Sequence, residues 1–130
     1  MASTPEANRR NAIAFYDLTF NQGRPREAVE RYVGARYTQH NPHVPDGIEA
    51  FVAYFERMAR EYPGKHVAFV RTVAEGDLVV LHCRQTWPGD VSPDWAGIDV
   101  FRFDDDGAIV EHWDVLQVVP TEMAHGNTMF

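Results

Sequence analysis

The chain has 130 residues, 45% of them hydrophobic and 12% aromatic, which suits one domain able to enclose a core and a pocket. A net charge of −7 argues against nucleic acid or an anionic membrane as partner. A single cysteine, Cys83, excludes an intrachain disulfide framework; no apolar run is long enough to span a bilayer, and Met1–Glu6 lacks the regions of a signal peptide, so the expectation is one cytoplasmic domain over residues 1–130.

Ser3 or Thr4 before Pro5 predicts a helix start, with a hydroxyl cap and a proline where its missing N–H does no harm. Ile13, Tyr16 and Phe20 recur at helical spacing, Ala12 and Phe15 widen the stripe, and Gly23 closes it. Tyr16 reads as a core tyrosine whose hydroxyl could line a pocket. A shorter helix opens at Pro25 and carries Ala28, Val29, Tyr32 and Val33 until Gly34 breaks it. Arg36–Pro45 reads as a short strand and a proline-rich turn, because residues before proline avoid the helical region. His40 is a candidate to reach the pocket. His40, His43 and Asp46 lack the spacing of a structural zinc site. Asp46-Gly47-Ile48-Glu49 predicts a capping box. Ile48, Phe51, Val52, Phe55, Met58, Ala59 and Tyr62 then form the clearest amphipathic stripe, stopped by Pro63-Gly64.

From Lys65 the pattern turns to strands. His66–Ala74 and Leu78–Trp87 flank a hairpin signal at Glu75-Gly76-Asp77. Val79, Leu81 and Cys83 share one face, Val80, His82 and Arg84 the other, and the pattern does not say which face meets the helices. His82 is therefore a pocket candidate, and Cys83 a small core residue rather than a nucleophile. Pro88–Asp94 is a loop. In the tail, Pro120–Phe130, His125-Gly126-Asn127 is turn-like, and Met129 and Phe130 could tuck against the core.

The most informative stretch runs from Phe101 to Val115. Asp106-Gly107 between two β-rich runs predicts a two-residue type I′ turn, with Asp105 facing Ala108. That register puts Asp99 opposite Asp114, Phe101 opposite His112 and Phe103 opposite Val110 on one face. Arg102–Glu111, Val100–Trp113 and Ile98–Val115 pair on the other. Like charges directly opposite are unfavourable, so two carboxylates among Phe101, Phe103, Val110 and Leu116 mark a chemical centre. Such a pair is expected to titrate in two coupled steps, one of them raised.

Three helices followed by four long antiparallel strands describe an α+β domain, with the helices on one face of a curved sheet. The other face is also apolar, at Val100, Trp113 and Val115. A second copy is its simplest cover, giving a homodimer through the outer sheet face with Trp113 near the contact.

This order, with Tyr37-Thr38-Gln39-His40-Asn41-Pro42 after the second helix and Gly107-Ala108-Ile109-Val110-Glu111-His112-Trp113-Asp114 near the end, resembles the SnoaL-like proteins of the nuclear-transport-factor superfamily. The resemblance implies a cone-shaped α+β barrel with a deep apolar pocket, and polyketide cyclases that close rings by aldol condensation without metal or organic cofactor. It implies an acid/base role for the Asp at the place of Asp114, assisted by a His on the preceding strand, where this chain has Asp99.

The leading expectation is cofactor-free acid/base chemistry on a small apolar or carbonyl-containing molecule. Asp114 would act as base, with Asp99, His112 and His40 completing the catalytic set and Tyr16, Phe55, His82, Phe101 and Leu116 lining the substrate pocket. The rival is a non-catalytic small-molecule binding domain of the same fold. A third reading joins His40, Asp99, His112 and Asp114 around a metal.

Overall fold

A computed structural model describes residues 3–130. Met1 and Ala2, part of the stretch read for a signal peptide, lie outside the described residues. Three helices lie on one face of a five-stranded sheet ordered β1-β5-β4-β3-β2. The sheet curves but does not close, and the helices complete the cone.

Helix α1 (Pro5–Tyr16) starts as the sequence requires. Thr4 accepts a hydrogen bond from the Ala7 N–H at 3.1 Å, and Pro5 fills the first turn. The helix continues as one π-helical turn, Asp17–Asn21, before Gly23 turns the chain. Helix α2 (Pro25–Tyr32) leads directly into β1 (Val33–Gln39). Gly34 is thus not a breaker but lies inside a strand, where an added Cβ would stand 3.2 Å from Val110 Cγ1. Helix α3 (Ile48–Glu61) buries Phe51, Val52, Phe55 and Met58, as its stripe predicts.

The capping box before α3 does not form. Gly47 is the N-cap residue and offers no side chain. Asp46 instead accepts the Gln39 N–H at 2.8 Å, and Glu49 pairs with Arg26. Both acids serve tertiary contacts that local spacing does not reveal.

Strands β2 (His66–Glu75), β3 (Leu78–Thr86), β4 (Asp94–Phe103) and β5 (Ile109–Val118) form an antiparallel meander, and β1 adds to β5 in parallel. Val79, Leu81 and Cys83 are fully buried on the face under the helices, packed with Phe15, Phe20, Phe101 and Ile109. That face decides the site.

The hairpin between β4 and β5 corrects the turn while keeping the register. Gly107, at φ +80°, is the turn's one positive-φ residue, and its N–H reaches the Asp104 carbonyl at 3.0 Å. The loop is therefore Asp105–Gly107, not a type I′ pair, and Asp104 rather than Asp105 faces Ala108. The Asp104 carboxylate stabilises this turn by accepting the N–H groups of Asp106 and Ala108. Phe103 consequently pairs with Ile109 instead of Val110. A β-bulge then takes up Val110 as an unpaired residue and restores Arg102 opposite Glu111. From there outward Phe101 faces His112 and Asp99 faces Asp114, as read from the sequence.

The tail also differs. Phe130 lies on the outer face of β3, its ring 6.0 Å from that of His82 and 5.1 Å from the Arg84 guanidinium carbon, not against the core.

Candidate active site

Alternation along β4 and β5 sends Asp99, His112 and Asp114 toward the helices. Their side chains are 0%, 8% and 6% exposed. His112 stands between the two carboxylates. Its Nε2 is 2.9 Å from Asp99 Oδ1 and 3.9 Å from Asp114 Oδ2, while its Nδ1 is 2.7 Å from Gln39 Oε1. The imidazole packs between Phe101, at 4.8 Å, and the nearly parallel ring of Tyr37, at 6.2 Å. The expected carboxylate pair is therefore a carboxylate–imidazole–carboxylate row.

Asp114 sits at the open end of this row. Asn41 Nδ2 donates to both of its oxygens at 2.9 Å. The Asn41 amide is itself oriented, because its Oδ1 accepts the His43 N–H at 2.7 Å. Burial raises the Asp114 carboxyl above its usual range, and the Asp99 charge adds to the rise. The His112 charge and the Asn41 hydrogen bond oppose it without cancelling it. Burial likewise pushes up the phenols of Tyr16 and Tyr37 and the Cys83 thiol, in each case with the Asp99 charge next. These three groups stay protonated, and Cys83 is a core residue.

The cavity has two parts. An inner chamber of about 50 Å³ is walled by aromatic rings and reached by Tyr16, Gln39, Gln85, His112 and Asp114. It opens, past Asn41, Tyr54, Trp87, Asp114 and Leu116, into a mouth of about 480 Å³ flanked by Tyr62, Asp90 and Trp95. Asp114 belongs to both. Leu116 takes its place because its partner on β4 is Gly97, where a Cβ would stand 2.6 Å from Leu116 Cδ2. Among the described residues, no lysine or arginine lines either part.

One hydrogen-bond chain prepares a donor in the inner chamber. The Trp87 indole N–H can only donate, and it meets Gln85 Oε1 at 3.0 Å. This fixes the Gln85 amide, whose Nε2 donates to the Tyr16 hydroxyl oxygen at 2.9 Å. The hydroxyl hydrogen of Tyr16 is left to point elsewhere.

Among the expected pocket residues, Tyr16, Phe55, Phe101 and Leu116 line the cavity. His82 does not: it pairs across strands with Ile98 and lies on the outer face beside Arg71 and Phe130. His40 also misses the cavity. It follows Gln39 and precedes Asn41, so alternation turns it outward, where its Nε2 is 2.8 Å from Glu111 and its ring stacks on Trp113 at 4.8 Å. The four-residue metal arrangement is accordingly not formed. Among the described residues, Asp99, His112 and Asp114 alone bring ligand atoms within 4.8 Å of one another, and His112 Nε2 is already engaged by Asp99. Gln39, Asn41, Gln85 and Trp87 also reach the cavity and are not among the residues expected from sequence. Alternation through Tyr37, Gln39 and Asn41 was the available signal, since it separates that set from His40.

Residues 12–112 match the family model of the SnoaL-like domain. The chain belongs to this family. Among solved structures it is similar to TsrD from Streptomyces laurentii, at 24% identity over 88% of this chain and 91% of that one, with a TM-score of 0.72. A Bacillus cereus protein provisionally assigned as a polyketide cyclase shares 21% identity over 85% of this chain and 74% of that one, TM-score 0.72. AclR from Streptomyces galilaeus, provisionally assigned as a hydroxylase, shares 18% over 88% and 91%, TM-score 0.67. At these identities the likeness shows the SnoaL-like fold alone. No curated protein matches.

Proposed function

We propose that this SnoaL-like protein is a cofactor-independent enzyme that moves a proton on a carbonyl compound, with Asp114 as the base. The observation that supports this most is a buried carboxyl, raised by its surroundings, at the junction of a narrow inner chamber and a wider mouth. An Asp114 oxygen would take the proton from the carbon next to the carbonyl. The C–H electron pair would form the enolate, and the charge developing on oxygen would meet the hydroxyl hydrogen of Tyr16. The enolate carbon then attacks a second carbonyl of the same molecule, whose π electrons go to its oxygen and whose alkoxide takes the proton back from Asp114, as in aldol cyclisation, or the enolate regains that proton at another carbon. The fold shared with proteins provisionally assigned as polyketide cyclases favours the first outcome.

Size and charge narrow the substrate. The inner chamber holds only a carbonyl-bearing end, so the body of the molecule occupies the mouth, between Tyr54, Tyr62, Trp87 and Trp95. These walls suit a planar apolar body. A carboxylate or phosphate would find no lysine or arginine among the described lining residues and would meet Asp90 and Asp114. Solvent deuterium exchange into a panel of neutral β-ketoesters and β-diketones, with wild type, Asp114→Asn and heat-killed protein, tests the reading. Exchange by wild type only is expected. Ligand quenching of Trp fluorescence with no exchange in any compound would make the protein a binding domain instead.

We also propose that a second copy covers the outer sheet face. Val73, Ile98 and Val115 are 60%, 42% and 75% exposed there. Trp113 lies at the margin of this patch, held between His40 and Arg102. Sedimentation should give a dimer at micromolar concentration, and Val115→Asp should dissociate it; a wild-type monomer would refute the proposal.

A further inference from the structure

The orientation of His112 is set from outside the catalytic row. Gln39 Oε1 accepts the backbone N–H of Asn41 at 3.0 Å. A backbone N–H can only donate, so the Gln39 atom at that place is the oxygen and its amide cannot be turned over. The same oxygen is 2.7 Å from His112 Nδ1. Nδ1 must therefore carry a hydrogen. The other ring nitrogen faces Asp99 Oδ1 at 2.9 Å, and Asp99 is fully buried, with its second oxygen unpartnered.

We infer that Gln39 is a positioning residue that locks His112 with a hydrogen on Nδ1, confining the one mobile proton of the Asp99–His112 pair to the Nε2–Oδ1 bond and leaving Asp114 as the free base. Two protonation patterns satisfy the geometry, imidazolium with carboxylate and neutral imidazole with carboxylic acid, and they differ only in where that proton sits. Neither puts a lone pair on Nδ1. His112 thus cannot exchange tautomers: Nδ1 keeps its hydrogen, and any change in the ring's charge passes through the Nε2–Oδ1 bond, on the side that lies 3.9 Å from Asp114. The Asn41 amide is fixed in the same way by His43 N–H, so the end of β1 and the turn after it deliver two oriented amides, one to His112 and one to Asp114. Gln39 touches the cavity but acts through His112.

The structural part of this inference stands independently of the proposed reaction; its kinetic consequence rests on Asp114 being the base. Long-range proton–nitrogen NMR of nitrogen-15-labelled protein reads the ring nitrogens of His112 directly. In wild type Nδ1 should resonate as a protonated nitrogen. Gln39→Met removes the acceptor at nearly constant volume, and Nδ1 should move toward the unprotonated range. Gln39→Glu keeps an acceptor at that place, and Nδ1 should stay protonated. On a substrate found by deuterium exchange, Gln39→Met should lower kcat by about 10²-fold with KM little changed. Gln39→Glu should recover part of that loss and displace the pH profile, which a merely structural role would not do. An unprotonated Nδ1 in wild type overturns the inference, whether or not the variants fold. So does an Nδ1 signal that Gln39→Met leaves unmoved. The predicted nitrogen signals without deuterium exchange in any compound would leave the lock standing and remove the enzymatic reading alone.

Discussion

Two histidine–carboxylate pairs lie back to back around the β4–β5 hairpin. His112 and Asp99 meet at 2.9 Å on the inner face, with side chains 8% and 0% exposed. His40 and Glu111 meet at 2.8 Å on the outer face, at 42% and 21%. The contact geometry is the same and the consequences are not. Outside, the His40 hydrogen bond, helped by Arg102, outweighs desolvation and holds Glu111 below its usual range. Inside, desolvation governs and lifts the neighbouring Asp114. A histidine beside a carboxylate is therefore no sign of chemistry by itself; its burial and the cavity it faces decide.

The largest effect that would break this contrast is on activity. Asp114→Asn should remove proton transfer by at least about 10²–10⁴-fold, while circular dichroism stays that of wild type. Retained exchange would place the base elsewhere.

Stability comes next. His112→Phe leaves Asp99 buried without its partner and should cost about 3–5 kcal/mol at neutral pH, read by denaturant unfolding. If the variant unfolds like wild type, the inner pair is not the buried interaction described.

The pH dependence sharpens the comparison through opposite signs. Asp114 has a raised folded pKa, so its contribution favours the fold at low pH and is lost as pH rises from its unfolded toward its folded value. Asp114→Asn should then melt as high as wild type or higher at neutral pH. Glu111 has a lowered folded pKa, so its stabilisation is present above the unfolded value and disappears as pH falls through the folded one. Glu111→Gln should melt lower than wild type at neutral pH and converge with it in acid. Thermal melts across pH decide both signs. The smallest effect belongs to His40→Phe, which keeps stacking on Trp113 and should cost under about 1 kcal/mol.

The fold was legible wherever local pattern and packing agree. Thr4-Pro5, the Phe51–Met58 stripe and the two hairpins each announce themselves through capping, period or turn chemistry. The Asp99–Asp114 pairing was legible too, although for an imperfect reason. The loop holds one residue more than a type I′ turn, and the bulge at Val110 absorbs the difference, so the register beyond it is unchanged. What stayed hidden was contact between distant segments. The bond from Gln39 N–H to Asp46 replaces a capping box, and nothing in Asp46–Glu49 shows it. His82 was ambiguous because both faces of β3 carry mixed residues. His40 has the residue type of a site group, but alternation turns it outward, and the quieter amides on either side of it reach the site.

The bulge also sets where the protein can change length. Between Phe103 and Glu111 the chain carries slack: Val110 fills space beside Gly34 but takes no place in the ladder. Losing it would straighten β5 and open a gap under β1, yet Ile109 and Glu111 could keep their partners. An indel at this tip can therefore be taken up locally, whereas one residue gained or lost between Glu111 and Asp114 would rotate the acid out of the cavity. The hairpin tip is a shock absorber that separates the drift of a surface loop from the phase of the strand carrying Asp114.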